Sequence, residues 1–197
     1  MKTKTLHFDG TAWLEFDEEE HIYTVDGVVL DGVTTLLQTI AKPALVGWSA
    51  KVTAEYVEAH LVPGVPLDEI QIKALCRAAK MAHREKKTAA ADIGTALHLF
   101  CSDYILKKNP PIPSNEQVKN GVTAFLKWIS EHNVIFTESE KRVYSRAYGY
   151  AGTTDGLATV DGKRTMFDFK SSTGCYPEMG IQLAAYQLAL QEEFPNE

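Results

Sequence analysis

Asp155 and Asp168 are the pair of side chains on which a chemistry can be built. Both lie in DGLATVDGKRTMFDFK, where two alternating runs flank Asp161-Gly162. Asp-Gly between such runs signals a hairpin with a two-residue loop. In that register Val160 faces Lys163, Leu157 faces Met166 and Asp155 faces Asp168. Facing Cβ atoms lie roughly 4.5–5.5 Å apart, where like charges repel. A hard cation between the carboxylates relieves the repulsion, and oxygen ligands suit Mg²⁺ or Mn²⁺. Lys170 stands two residues beyond Asp168 on the same strand face, able to steer a water or a phosphate oxygen. This is equipment for metal-assisted hydrolysis of a phosphodiester. The residues alone leave a plainer alternative open. Roughly one or two acidic-x-Lys triplets arise by chance in a chain this size. Asp155 can also be a turn residue, and a hairpin can slip its register.

The elements that must position these residues follow from periodicity. EEEHIYTVDGVVLDGVTTLL reads as short strands around Asp26-Gly27 and Asp31-Gly32, leading into a helix over 33–40. A second helix is expected over 45–60, and Pro63, Gly64 and Pro66 form a linker. Helical pattern resumes at Leu67 and runs, with room for a break, to Lys107. Its stripe Ile93, Ala96, Leu97, Phe100, Cys101, Tyr104 and Ile105 should face the core, with His98 on the flank. Ser114 to Gln117 has the spacing of a capping box for a helix burying Val118, Val122, Phe125, Leu126 and Ile129. Strands are expected from Val134 to Ser172, then a helix over 179–194 carrying Gln182 and Tyr186 one turn apart. Trp48 and Trp128, in helical patterns, are expected in the core. Helices, a meander and a helix predict an α/β or α+β fold around a mixed sheet.

Composition bounds the function. With 197 residues, 45% hydrophobic and 23% charged, the chain is expected to be soluble and to form a single domain, 1–197. Within it, residues 1–65 read as a β-turn and helical region, 66–132 as helices including the one with His98, and 133–197 as the sheet and the last helix. No apolar run approaches the ~20 residues of a membrane span. The N-terminus MKTKTLHFDG lacks a signal peptide's apolar stretch. Cys76, Cys101 and Cys175 are odd in number and far apart, so a cytoplasmic setting is expected and a four-cysteine iron–sulfur cluster is excluded by count. The net charge of −6 argues against a broadly basic coat but allows a local basic groove.

Gly94-Thr95-x-x-His98, Glu140, Gly149-Tyr-Ala-Gly-Thr-x-Asp155, Asp168-Phe-Lys170 and Gln182-x-x-x-Tyr186 together, in this order, resemble the PD-(D/E)XK nuclease superfamily, in particular its RecB-like, phage-type exonuclease branch. The stretch IYTVDG…GVTTLL…AKPALVGWSAK is similar to the leader of phage members. The resemblance implies an α/β, restriction-endonuclease-like core: a mixed central sheet flanked by helices, with a helical N-terminal region. It implies one or two Mg²⁺ or Mn²⁺ ions held by His98, Asp155, Asp168 and the carbonyl of Phe169. Lys170 would orient or deprotonate the attacking water, which as a base requires a lowered pKa. Glu140 matches the early acidic position, with Glu138 as competitor, and Gln182 and Tyr186 match the helix bordering the site. The implied activity is a DNA exonuclease in phage recombination, repair or replication, working with a recombination or single-strand-binding partner. The alternative is a non-catalytic DNA-binding or recombination module that keeps the fold.

Candidate DNA contacts are Arg84, Lys86, Lys87, Lys141, Arg142 and Arg146 for phosphates, and Tyr144, Tyr148 and Tyr150 for base stacking. Most of these can equally be solvated charges and sheet-face aromatics. Family members usually continue with more strand after the Q-x-x-x-Y helix, whereas this chain stops at Glu197. A minimal version, a truncated chain and a sheet completed by another chain all fit that departure.

Overall fold

The computed structural model describes residues 1–40, 42–172 and 174–195. Among them the fold is mixed α/β, with five helices and a mixed sheet of seven strands. The chain divides into two compact units, one of Met1–Ile40 with Ala96–Glu197 and one of Ala41–Thr95.

The first unit holds the sheet. Strands β1 (Lys2–His7), β2 (Ala12–Asp17), β3 (Ile22–Val25) and β4 (Val28–Gly32) form an antiparallel meander. The Asp26-Gly27 loop has φ of 49° and 82°, the left-handed pair of a tight hairpin turn. Gly32 ends β4 and caps helix α1 (Val33–Leu37), shorter than the expected 33–40. β1 lies in the N-terminal stretch, where no strand was anticipated; Lys and Thr alternate along it with half-buried partners, too weak a hydrophobic pattern to signal a strand.

β5 (Val134–Ser145), β6 (Tyr150–Val160) and β7 (Lys163–Phe167) complete the sheet in the order β1-β2-β3-β4-β6-β5, with β7 also on β6. β4 and β6 are parallel, pairing Asp31 with Tyr150 and Gly32 with Ala151. The β6–β7 register is the expected one: Val160 pairs with Lys163 and Leu157 with Met166, around Asp161 and Gly162 at φ of 49° and 80°. β5 runs unbroken through both VIF and KRVYS, in the region where strands are expected. It accommodates a register shift between Phe136 and Glu138, and Glu140 has a left-handed φ of 52°.

Helix α4 (Glu116–Glu131) buries Val118, Val122 and Phe125. Its cap is Asn115 and not Ser114: the Asn115 side chain accepts from the N–H groups of Gln117 and Val118. Helix α5 (Pro177–Glu193) buries Gln182, Tyr186 and Ala189. One core groups Leu14, Phe16, Tyr23, Val25, Tyr144 and Ala151; another groups Val33, Val143, Tyr150, Tyr186 and Ala189, with Met166 against it.

The second unit contains helix α2 (Pro43–His60) and most of helix α3 (Glu69–Ile105). α3 is uninterrupted over Glu69–Ile105, within the 67–107 expected to be helical, and the break allowed for there is not used. Val52, Ala79 and Ala82 are buried. Trp48 is 38% exposed, contrary to its expected core place; the apolar residues beside it on α2, Leu45 and Val46, are exposed as well. Trp128 is half-buried, its ring beside His132. No helix among the described residues is long and apolar enough to cross a membrane.

Candidate functional site

The hairpin carries Asp155 in β6 and leaves Asp168 one residue past the end of β7, the next step of the same register. Strand alternation then separates the neighbours of Asp168. Met166 packs into the core under α5. Phe167 and Phe169 join the aromatic group of Phe125 and Phe136, with ring centroids of 5.3 Å for Phe169–Phe125 and 5.6 Å for Phe167–Phe136. The aromatic pair is thereby anchored, and the polar residues between and after it are held at the surface of the site. Thr154, fully buried, donates its hydroxyl to the Phe167 carbonyl at 2.8 Å and fixes the strand end from the other side.

Seven residues selected from the sequence meet here: His98, Asp155, Asp168, Phe169, Lys170, Gln182 and Tyr186. His98 Nδ1 lies 3.1 Å from Asp155 Oδ1, and an ionised carboxylate can only accept, so the proton sits on Nδ1. In the neutral ring that leaves the Nε2 lone pair free to act as a ligand. The backbone N–H of Phe169 donates to the other oxygen of Asp155. Asp168, its side chain 7% exposed, is paired with Lys170 and accepts from Gln182 Nε2 at 3.4 Å. Gln182 also donates to the Tyr186 hydroxyl at 2.9 Å. Burial pushes the Lys170 ammonium below the usual lysine range, against the opposing pull of the Asp155 charge. Burial drives the Tyr186 hydroxyl up to about 12, and the Cys101 thiol on the His98 helix likewise to about 12.

Tyr186 can lie this close to the sheet because Gly152 has no side chain; a Cβ there would run into the Tyr186 ring. Gly152 and Thr154 are the positioning residues that sequence reasoning missed. Both lie inside the GYAGTTD stretch, but their role depends on the cross-strand and helix neighbours, which the stretch does not itself reveal.

Glu140 stands between the paired positions Ser139–Gly156 and Lys141–Thr154, in register with Asp155, yet its side chain is exposed. Glu138 pairs with Lys141 at 2.9 Å. Arg142 stacks its guanidinium over Phe16 and Arg146 over Phe8, while Arg146 also donates to Thr11 at 2.7 Å. Tyr144 and Tyr150 are core residues, whereas Tyr148 is 69% exposed. In the second unit Arg84, Lys86 and Lys87 are exposed, with Lys86 3.2 Å from Glu55.

Among the described residues no three His, Cys, Asp or Glu side chains are grouped closely enough to hold a metal ion. The two carboxylates are engaged by the protein's own donors. The donor chemistry nevertheless fits a hard divalent cation: carboxylate oxygens now facing His98 Nδ1 and Lys170 Nζ can face a cation instead. Compared with protein-family models and with curated protein sequences, the chain matches none.

Proposed function

We propose that the protein is a Mg²⁺- or Mn²⁺-dependent deoxyribonuclease with a PD-(D/E)XK core, an exonuclease of the RecB-like, phage-type branch. The observation that carries the reading is the bonded series His98–Asp155–Phe169 N–H and Lys170–Asp168–Gln182–Tyr186, drawn from three separate stretches of chain. His98, Asp155 and Asp168, with the Phe169 carbonyl, would hold the ion. A bound Mg²⁺ or Mn²⁺ supplies Lewis acidity at the phosphate and lowers the pKa of an attacking water. Lys170 orients that water and offsets charge developing on the phosphate oxygens. Gln182 and Tyr186 keep the Asp168 carboxylate in one orientation, while the Phe169 N–H does the same for Asp155.

The test is degradation of end-labelled linear DNA, single- and double-stranded, with Mg²⁺, Mn²⁺ or EDTA. Cleavage should need metal and should fall at least about 10²-fold in Asp168→Ala and in Lys170→Ala, the loss typical of removing one charge-stabilising group. Full activity in either variant rejects the assignment. A second reading, a DNA-binding or recombination module without catalysis, draws on the fact that both carboxylates already have partners within the chain. DNA retention in a gel shift with intact DNA in every metal lane selects it.

A further inference from the structure

Residues 70–90 of α3 hold six Lys or Arg and one acidic residue, Glu85, in a chain of net charge −6. Lys73, Arg77, Lys80, Arg84 and Lys87 follow each other at spacings of four, three, four and three, and all five are exposed. At ~100° per residue they occupy an arc of about 80° and a length of about 21 Å along one helix face. Buried Ala82 lies on the opposite side, and Lys86, off the stripe, is paired with Glu55 of α2.

This stripe is unlike the other helical lysines of the protein. Lys51 has Glu55, Lys119 has Glu116 and Lys127 has Glu131, each one turn away. Along the stripe, among the described residues, only Lys73 has such a partner, Glu69. From there on no acidic residue stands one turn from a member of the stripe, and each member is followed one turn on by another cation: Arg77 after Lys73, Lys80 after Arg77, Arg84 after Lys80, Lys87 after Arg84. Like charges at that spacing destabilise a helix. A linear polyanion laid along the face removes the repulsion, and a nucleic-acid backbone supplies phosphates in a row.

We infer that the α3 stripe Lys73–Arg77–Lys80–Arg84–Lys87 is a binding ridge for the phosphodiester backbone of a nucleic acid. The inference rests on the reading of the protein as one that acts on DNA, and it assigns a binding surface to the 41–95 unit that shares no residue with the carboxylate site. Its contacts are to phosphates, so it is indifferent to sequence and sensitive to salt.

The test measures fluorescence anisotropy of labelled single-stranded and duplex DNA in EDTA, across a salt series. Two triple variants are compared: Arg77→Gln with Lys80→Gln and Arg84→Gln in the stripe, and Lys51→Gln with Lys119→Gln and Lys127→Gln, none of which belongs to it. The ridge variant should lose at least about 10-fold in affinity and flatten the log–log salt slope by about 2–3, since each lost contact contributes ~0.7 on a single strand and ~0.9 on a duplex. The control, with the same change in net charge, should move neither strongly. Which DNA shows the larger loss identifies the form bound. Equal effects of the two variants, an unchanged slope, or no binding by the unaltered protein at low salt would overturn the ridge. If the triple variant loses its helical circular dichroism, Arg77→Gln and Lys80→Gln alone should each reduce the slope by ~0.7–0.9. Cleavage of the same DNA with Mn²⁺ is scored separately. Cleavage with ridge-independent binding sinks only the ridge, and ridge-dependent binding without cleavage sinks only the nuclease.

Discussion

Asp168 has the most at stake of any single residue, because its carboxylate is nearly buried and its partners include both an ammonium and an amide. A buried carboxylate so held is either the terminus of a structural network or a ligand whose partners yield to a cation. Metal titration separates the two. An ion bound only by the folded protein, present at about 100 times its Kd, stabilises by about 2.7 kcal/mol. In a chain of this size that raises Tm by roughly 5–10 °C. The rise should appear with Mn²⁺ or Mg²⁺, vanish with EDTA, and be absent in Asp168→Ala. An unchanged Tm at millimolar Mn²⁺ would remove the metal from the site. Lys170 behaves consistently with either role, since burial lowers its pKa while the adjacent Asp155 charge raises it. For His98, on the flank of an apolar stripe, the residues alone favour a core histidine, and the ligand role comes from the resemblance. Its contact with Asp155 is a long-range fact, joining α3 to β6.

At the scale of elements, the hairpin was readable because Asp161-Gly162 fixes both the loop and the register, and Asp155 and Asp168 stand one step beyond its last pair, Gly156–Phe167. α4 was readable from its apolar face, and α5 was expected over 179–194 with Gln182 and Tyr186 one turn apart, close to its observed Pro177–Glu193. The length of β5 was not, because its bulge at Phe136–Glu138 and the left-handed Glu140 interrupt the alternation that marks a strand. Nor was the Asn115 cap, since Ser114 offers the same chemistry one residue earlier. The close approach of α5 to β6 was hidden for a different reason: it is set by an absent side chain. Gly152→Ala places a methyl against the Tyr186 ring. Overpacking of this kind costs about 1–3 kcal/mol. Chemical denaturation should show that loss, and the displaced ring should loosen the Gln182 bond to Tyr186 and with it the hold on Asp168. A variant as stable as the parent would mean that α5 is free to move away from the sheet.

For the molecule as a whole, alkaline pH tests whether these cores are as dry as they look. Burial raises the pKa of Tyr186 from 10.0 to about 12 and that of Cys101 from 9.0 to about 12, with the Asp155 charge adding to both. Tyr23 and Tyr150 are raised in the same direction, again chiefly by burial. In each case the folded protein keeps a proton that the unfolded chain releases. The stabilisation is therefore complete below the unfolded pKa and is lost as pH climbs through the folded one. For Cys101 the loss begins near 9 and for Tyr186 near 10, and both are spent by about 12. A shift of about two units corresponds to roughly 3 kcal/mol for the tyrosine. Melting temperature should be nearly level up to about pH 8.5 and then fall increasingly steeply. Tyr186→Phe, which has no proton to lose, should start from a lower Tm because Gln182 loses its acceptor, yet decline less steeply above about pH 10. Parallel curves for the two proteins would show that the Tyr186 hydroxyl reaches water, and that the wall it forms beside Gln182 and Asp168 is open.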